Sequence, residues 1–323
     1  MKKTALVCFS IVALSITLPP AFAQATYPSA PVKLVIGFPP GATTDVVARL
    51  LAQKLTSQMN ANFIVEHKPG ANGNIGTEFV AKSRPDGYTL LVNTSGVSLS
   101  PALGDKLGYD ILKDLAPIAL LAAAPSVLVV HPSLPVHTPA EFISHVRANP
   151  NKLAYGSTGI GNVTHLGAVV FLQANGLTAL HVPYKGASLA NIDFVAGRVQ
   201  FRFSEMASVL PLVKDKRIRM IAIAGLKRSP VLPEVPTLNE TVMPGFQVGG
   251  WFGLMAPAKT SPAIVKRLNA ETMKALQDPE SQALLLARNA EPRGSTPEEY
   301  TAFIKSEVQR WIEIVKSVDI KRK

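Results

Sequence analysis

Apolar positions along this chain follow two rhythms that keep trading places. Residues 32–38 form a β-rich apolar run closed by Pro39-Pro40-Gly41, and Val46, Val47, Leu50, Leu51 and Leu55 then recur on one helical face. Residues 62–66 read as a second strand entering the glycine-rich loop 69–76. A helix over 77–83 stops before the turn Pro85-Asp86-Gly87, and residues 88–93 form a third strand. This order predicts an α/β fold, with parallel strands covered by helices.

The style repeats further on. Residues 126–131 read as a strand, and Thr138 with Glu141 forms a capping box opening a helix to about Asn149. Strands follow at 153–157, 180–183 and 219–224, with helices over 163–175 and 188–196 between them. Residues 227–244 are rich in proline and turn formers, and the remainder reads as mostly helical. Ser261-Pro262 starts one helix, and Thr296 with Glu299 caps another. Tyr300, Phe303, Ile304, Val308, Trp311, Ile312 and Val315 make one apolar stripe on that last helix, a docking face.

The first residues follow neither rhythm. Lys2-Lys3, an uncharged apolar run over 4–18 and the small-residue site Ala21-Phe22-Ala23 are the signature of a cleaved secretory leader. The run is too short to be a membrane anchor and ends at Pro19-Pro20. Cleavage after Ala23 leaves a periplasmic chain that starts at Gln24 and has lost Cys8, its one cysteine. Disulfides, thiol catalysis and cysteine-ligated metals are thereby excluded. The chain carries a net charge of +11, scattered along it, with its densest clusters at 214–219 and 321–323. Neither cluster interleaves basic with aromatic residues as a nucleic-acid groove does, so no nucleic-acid partner is expected. A basic surface does steer anions.

Motifs for phosphate loops, zinc proteases, EF-hands, CxxC sites and nucleophile elbows do not occur, and the six histidines are dispersed. No metal, cofactor or enzymatic activity is expected. What remains are strand-to-helix turns dense in glycine and hydroxyls. The first is Gly37-Phe38-Pro39-Pro40-Gly41-Ala42-Thr43-Thr44-Asp45. Gly41 permits close backbone approach, Thr43 or Thr44 can cap, and the first-turn amides lie at the positive end of the helix. An anion there gains roughly 0.3–2 kcal/mol. Asp45 reads as a helix-start residue holding a loop amide. An ordinary proline–glycine connection fits this loop equally well. The second turn, Gly156-Ser157-Thr158-Gly159-Ile160-Gly161-Asn162-Val163-Thr164-His165, has the same design in the other half. That doubling favours one anionic ligand bridging two lobes.

The segments GFPPGATTD, VEHKPGANGNIG, RPDGYTLLV, YGSTGIGNVTH, HVPYKG and GRVQFRF, preceded by Tyr27-Pro28 and followed by WFGLMAP and STPEEY, run in this order through the mature chain. They resemble the Bug, or TctC-type, periplasmic solute-binding proteins that serve tripartite tricarboxylate transporters. The resemblance implies a two-lobed type II periplasmic-binding-protein fold, with parallel and mixed sheets flanked by helices. Lobe 1 is expected at 24–123 with 227–323 and lobe 2 at 124–226, joined by crossings near 122–124 and 225–227. It also implies a monomer that binds a small carboxylate through backbone amides, hydroxyls and waters, then delivers it to membrane subunits of the transporter. The matching positions are Phe38, Pro40, Gly41, Thr43 and Thr44; Ala71 and Asn72; Thr94 and Ser95; Thr158, Asn162, Thr164 and His165; and Tyr184.

Departures from the family pattern point to specificity. Ala42 stands where a second glycine is common, and Val169-Val170 where an acid is common. Ser204-Glu205 replaces the frequent Asp-Asn pair; Ser204 cannot pair with a ligand ammonium, whereas an inward Glu205 can. A di- or aromatic carboxylate without an amine is the expected ligand. Two other readings use the same residues: a sensor presenting its ligand to a membrane receptor, and an enzyme needing an acid–base pair such as His165 with Glu205.

Overall fold

The computed structural model describes residues 27–41 and 43–317. The expected leader with Cys8 and its cleavage point, and Ala42, lie outside the described residues. The first half builds β1 (Val32–Ile36), α1 (Thr43–Met59), β2 (Phe63–His67), α2 (Asn74–Ala81), β3 (Thr89–Thr94) and α3 (Gly96–Ala102). A long strand, β4 (Leu115–Val130), leads into α4 (Pro139–Ala148), β5 (Ala154–Ser157), α5 (Val163–Ala174), β6 (Leu180–Pro183), α6 (Ala187–Val195), β7 (Phe201–Glu205), α7 (Met206–Lys214) and β8 (Arg219–Ala224). The chain ends with α8 (Leu238–Thr241), β9 (Gly249–Pro257), α9 (Pro262–Gln277), α10 (Pro279–Ala287), β10 (Glu291–Pro292) and α11 (Pro297–Ser317).

One strand organises the whole. From Leu115 to Pro125, β4 pairs antiparallel with β9; from Ser126 it pairs antiparallel with β7 and β8. The strand order is β2-β1-β3-β9-β4-β7-β5-β6, so β4 is shared by two half-sheets. In the first, β1 runs parallel to β2 and β3, and β9 runs against β3. In the second, β5 runs parallel to β6 and β7. Register then decides where the strand ends lie. Thr94, ending β3, is level with Phe252 and through it with Ala122 of β4. Glu205, ending β7, is level with Ser126. Both sets of parallel strands therefore point their C-terminal ends at the same stretch of β4. Four residues separate the two levels, about 13 Å of strand.

Each half-sheet is covered on both faces, which is why its strands are apolar throughout. In the first, Leu34, Ile36, Leu51, Leu55 and Leu268 pack on one side and Val35, Leu91, Met255, Tyr300 and Ile304 on the other. In the second, Leu128, Phe142, Phe171, Phe201 and Phe203 face Val127, Val129, Phe194, Val209 and Ile223 across the sheet. Burying each such side chain contributes roughly 1.5–3 kcal/mol. The stripe on α11 docks as its spacing predicts: Tyr300, Ile304 and Trp311 are fully or almost fully buried, and the Tyr300 hydroxyl donates to Asn93 Oδ1 at 2.9 Å.

One expectation needs correction. The chain does not return to the first half at 225–227. Leu238, Phe246 and Val248 belong to the core of the second half, and the Val248 N–H donates to Ala224 O at 2.9 Å. The return comes at Gly249, where β9 begins. The segment after 244 is mostly helical, as its pattern reads, but also holds β9, the strand lying between β3 and β4. Its run WFGLMAP lacks alternation because both faces are covered, and a short apolar run carries no period that separates strand from helix.

Candidate functional site

Three first-half loops meet at the strand ends. Gly37 lies with its backbone against that of Gly73, leaving no room for a Cβ, and the Phe38 ring packs over Gly73. Gly96 sits equally close to the carbonyl of Asn72. The middle loop turns on left-handed backbone, with φ of 46° at Ala71, 56° at Asn72 and 91° at Gly73. For a non-glycine residue this costs of order 1–3 kcal/mol, the kind of strain that collects at functional sites. Asn74 anchors the loop from beneath: its Nδ2 donates to Ser100 Oγ at 2.9 Å and its Oδ1 accepts from the Tyr109 hydroxyl at 2.8 Å.

Asp45 is the hub of the first loop. Its Oδ2 accepts the Gly41 N–H at 3.0 Å, Arg49 Nε lies 3.0 Å away, and His67 Nε2 is 2.8 Å from Oδ1. Burial alone raises its pKa; the Gly41 amide, Arg49 and His67 outweigh that and hold the carboxyl below its ordinary value. Asp45 is thus spent on the loop, as its helix-start position implies. Thr44 and Ser95 are buried, and the Ser95 N–H donates to Trp251 O at 3.1 Å. Phe38, Pro40, Gly41, Thr43, Ala71, Asn72 and Thr94 are half or fully exposed.

The second-half loop is held differently. Asn162 caps α5: its Oδ1 accepts the N–H groups of Thr164 and His165, both at 3.1 Å, and the Thr164 hydroxyl at 2.7 Å. Its Nδ2 donates to Thr158 Oγ1 at 2.7 Å, and the Thr158 N–H donates to Thr164 Oγ1 at 3.0 Å. These first-turn amides, expected to face a ligand, are taken by the Asn162 side chain. His165 likewise has another task. It is buried, its Nδ1 accepts the Gly161 N–H at 3.1 Å, and its ring stacks on His181 with centroids 4.0 Å apart. Tyr155 stacks on His181 in turn, at 4.8 Å. Burial, then the neighbouring His181, lowers the His165 pKa to about 4. Among the described residues no hydrogen bond joins His165 to Glu205, the pair that the enzymatic reading needs.

Thr158, Asn162 and Tyr184 are half-buried and Glu205 is exposed, whereas Thr164 and Ser204 are buried. Glu205 is reached by solvent, yet protein surrounds it closely enough to raise its carboxyl above the usual range. α5 packs against the first half. Leu166 of α5 is fully buried in one cluster with Leu99 of α3 and Trp311 of α11. One functional candidate lies inside the segment GRVQFRF but is not among the positions singled out from the sequence. Arg202, between two phenylalanines of β7, lies beside Tyr184 and Gly156. A separate cavity of about 280 Å³ lies beside β4, lined by Leu120, Trp251, Phe303 and Arg310 among others, and contains none of the candidate residues.

This chain, with two sets of backbone-rich loops at strand ends that meet on a shared strand, matches known proteins over most of its length. The sequence pattern of the tripartite tricarboxylate transporter family receptor, TctC, covers residues 47–320. The chain belongs to this receptor family. It is 35% identical over 300 residues to protein BugT of Bordetella pertussis, covering 92% of each chain. Among solved structures, Rhodopseudomonas palustris Rpa4515 with adipate shares 34% identity and a TM-score of 0.79, over 90% of this chain and 97% of that one. MatC of the same organism, with bound malate, shares 30% identity and a TM-score of 0.75, over 90% and 100%. TctC receptors are periplasmic solute-binding proteins, so the α/β fold and family expected from the sequence hold.

Proposed function

We propose that this TctC receptor binds a small carboxylate between its two loop sets in the periplasm and presents it to the membrane subunits of a tripartite transporter. The observation carrying this reading is the register of β4, which brings two groups of strand ends, with their glycines and hydroxyls, to one stretch of that strand, where we place the ligand recess. Crevices outside the carboxyl ends of parallel strands are where α/β sheets take ligands. The acids held by the two solved relatives, adipate and malate, support a dicarboxylate. In the first half the donors are the helix-start amides and Thr43, Asn72 and Thr94; in the second the donor is the Thr158 hydroxyl, with Tyr184 and Glu205 shaping the rim.

The two halves are read as lobes, 27–125 with 249–317 and 126–248, moving about Pro125–Ser126 and Val248–Gly249. A ligand touching both lobes only when they are shut stabilises the shut form. We further read the chain as a non-catalytic monomer, exported by cleavage after Ala23. Thermal-shift titration of the mature protein against a panel of carboxylates tests the reading. A rise in Tm that saturates with at least one acid is expected; no shift with any acid overturns it.

A further inference from the structure

Arg202 has most of its hydrogen-bonding capacity unspent. Its side chain is fully buried. Nη1 donates to Asn191 Oδ1 at 2.5 Å, but Nε and Nη2 have no partner among the described residues. Nε and Nη2 lie on one edge of the guanidinium, the fork that grips a carboxylate with two parallel bonds. Among the described residues no carboxylate forms an ion pair with it. Asp193, two residues after Asn191 on α6, is held by Arg198 at 2.6 Å and by the Tyr184 hydroxyl at 2.9 Å. A buried cation without a counter-charge is costly, and an unmade fork adds to the cost.

Its location connects it to the recess. Arg202 is level with Gly156, one residue short of the end of β5, about 3 Å below the 156–165 loop. A Cβ at Gly156 would lie 3.3 Å from both Arg202 Cδ and Tyr184 Cε2, so the bare glycine leaves the guanidinium stem and the tyrosine ring side by side. Tyr184 reaches solvent whereas Arg202 does not, which makes the ring its cover. Ser204, next on the same strand face, also has a buried hydroxyl without a partner.

We propose that the Nε–Nη2 edge of Arg202 receives the second carboxylate of a linear dicarboxylate whose first carboxylate lies between the loops, with Tyr184 turning aside to admit it. The inference rests on the carboxylate-binding reading above and assigns the second acid group to a residue. A carboxylate supplies two acceptors at the spacing of the fork and cancels the buried charge. A water or a ligand hydroxyl supplies neither the pair of acceptors nor the charge.

Calorimetric titration with adipate and with hexanoate, its one-carboxyl counterpart, tests this. Arg202→Gln is expected to weaken adipate by roughly tenfold or more while leaving hexanoate within about twofold. Arg202→Lys, which keeps the charge but not the fork, recovers only part of the loss. Equal weakening of both acids, or none, overturns the proposal. Failure of the unsubstituted protein to bind any acid overturns the carboxylate reading instead. Because a core substitution can impair folding, the unsubstituted protein provides a second readout. The Arg202 Nε–H resonance is expected to move with adipate and stay still with hexanoate; no movement with bound adipate contradicts the assignment.

Discussion

The loops at 37–45 and 156–165 look alike in sequence, each a strand followed by glycines, hydroxyls and a helix, yet they are stabilised by different physics. The first is backbone packed on backbone, Gly37 against Gly73, fastened by one buried carboxylate at Asp45. The second is a knot of side chains, Asn162 with Thr158 and Thr164, seated on the stacked rings of His165, His181 and Tyr155. Glycine and hydroxyl content therefore identifies a ligand loop without saying which of its donors remain for the ligand. Donors on the first loop stay available, while much of the second loop's inventory is used to hold its own shape. In the proposed reading, recognition in the second half falls to the Thr158 hydroxyl and to Arg202 behind Tyr184, with Glu205 at the rim.

The contrast is sharpest in its dependence on pH. His165 has a folded pKa of about 4, depressed from 6.5. Below pH 6.5 the unfolded chain gains a proton that the folded loop refuses, so stability is complete above 6.5 and falls until about pH 4. The loss is of order 3 kcal/mol. Chemical denaturation at successive pH values should show this decline, and His165→Gln should flatten it. Asp45, with a folded pKa below its ordinary value, contributes stability above about pH 4 that is lost only as the pH falls through its lowered folded pKa. The second loop should thus weaken in a pH range where the first is intact.

Substitutions should separate the loops in the same way. Gly37→Ala should cost about 1–3 kcal/mol and weaken every acid, because its Cβ pushes the first loop off Gly73; calorimetry and thermal melts check both effects. Asn162→Ala should cost about 1–2 kcal/mol through loss of the α5 cap and should also weaken all acids. Asp45→Asn should cost about 1 kcal/mol near neutral pH, and its gap from the unsubstituted protein should shrink as acid protonates Asp45. Glu205→Gln should have the smallest effect, within about 0.5 kcal/mol in stability, while changing which acid is preferred. Equal loss across all acids for Glu205→Gln would show that it is not a selectivity position.

Much of this fold is legible in the sequence where local pattern and global role agree. The parallel strands are bounded by glycine and proline, and the capping boxes at Thr138 and Thr296 form with the expected bonds. β9 is not legible, since a strand covered on both faces loses its alternation. The late return at Gly249 is hidden because residues 227–248 are written in turn formers, and only three-dimensional contact assigns Leu238 and Phe246 to the second core. At the site, loop positions can be read but side-chain tasks cannot. His165 follows a glycine loop as a ligand residue would, and only the position of His181 on β6 turns it inward. Arg202, within GRVQFRF, carries no local signal of burial, because the cover over its strand face comes from α6, distant in the chain.

The account's central claim is that one acid is held across the two loop sets at the β4 junction. A crystal structure of the protein with a bound acid tests it most directly. The account predicts carboxylate oxygens within hydrogen-bonding distance of the first-half loops at Thr43 or Thr94 and of Thr158 across the recess. An acid lodged instead in the cavity beside Trp251 and Arg310, with the loops unoccupied, would contradict it.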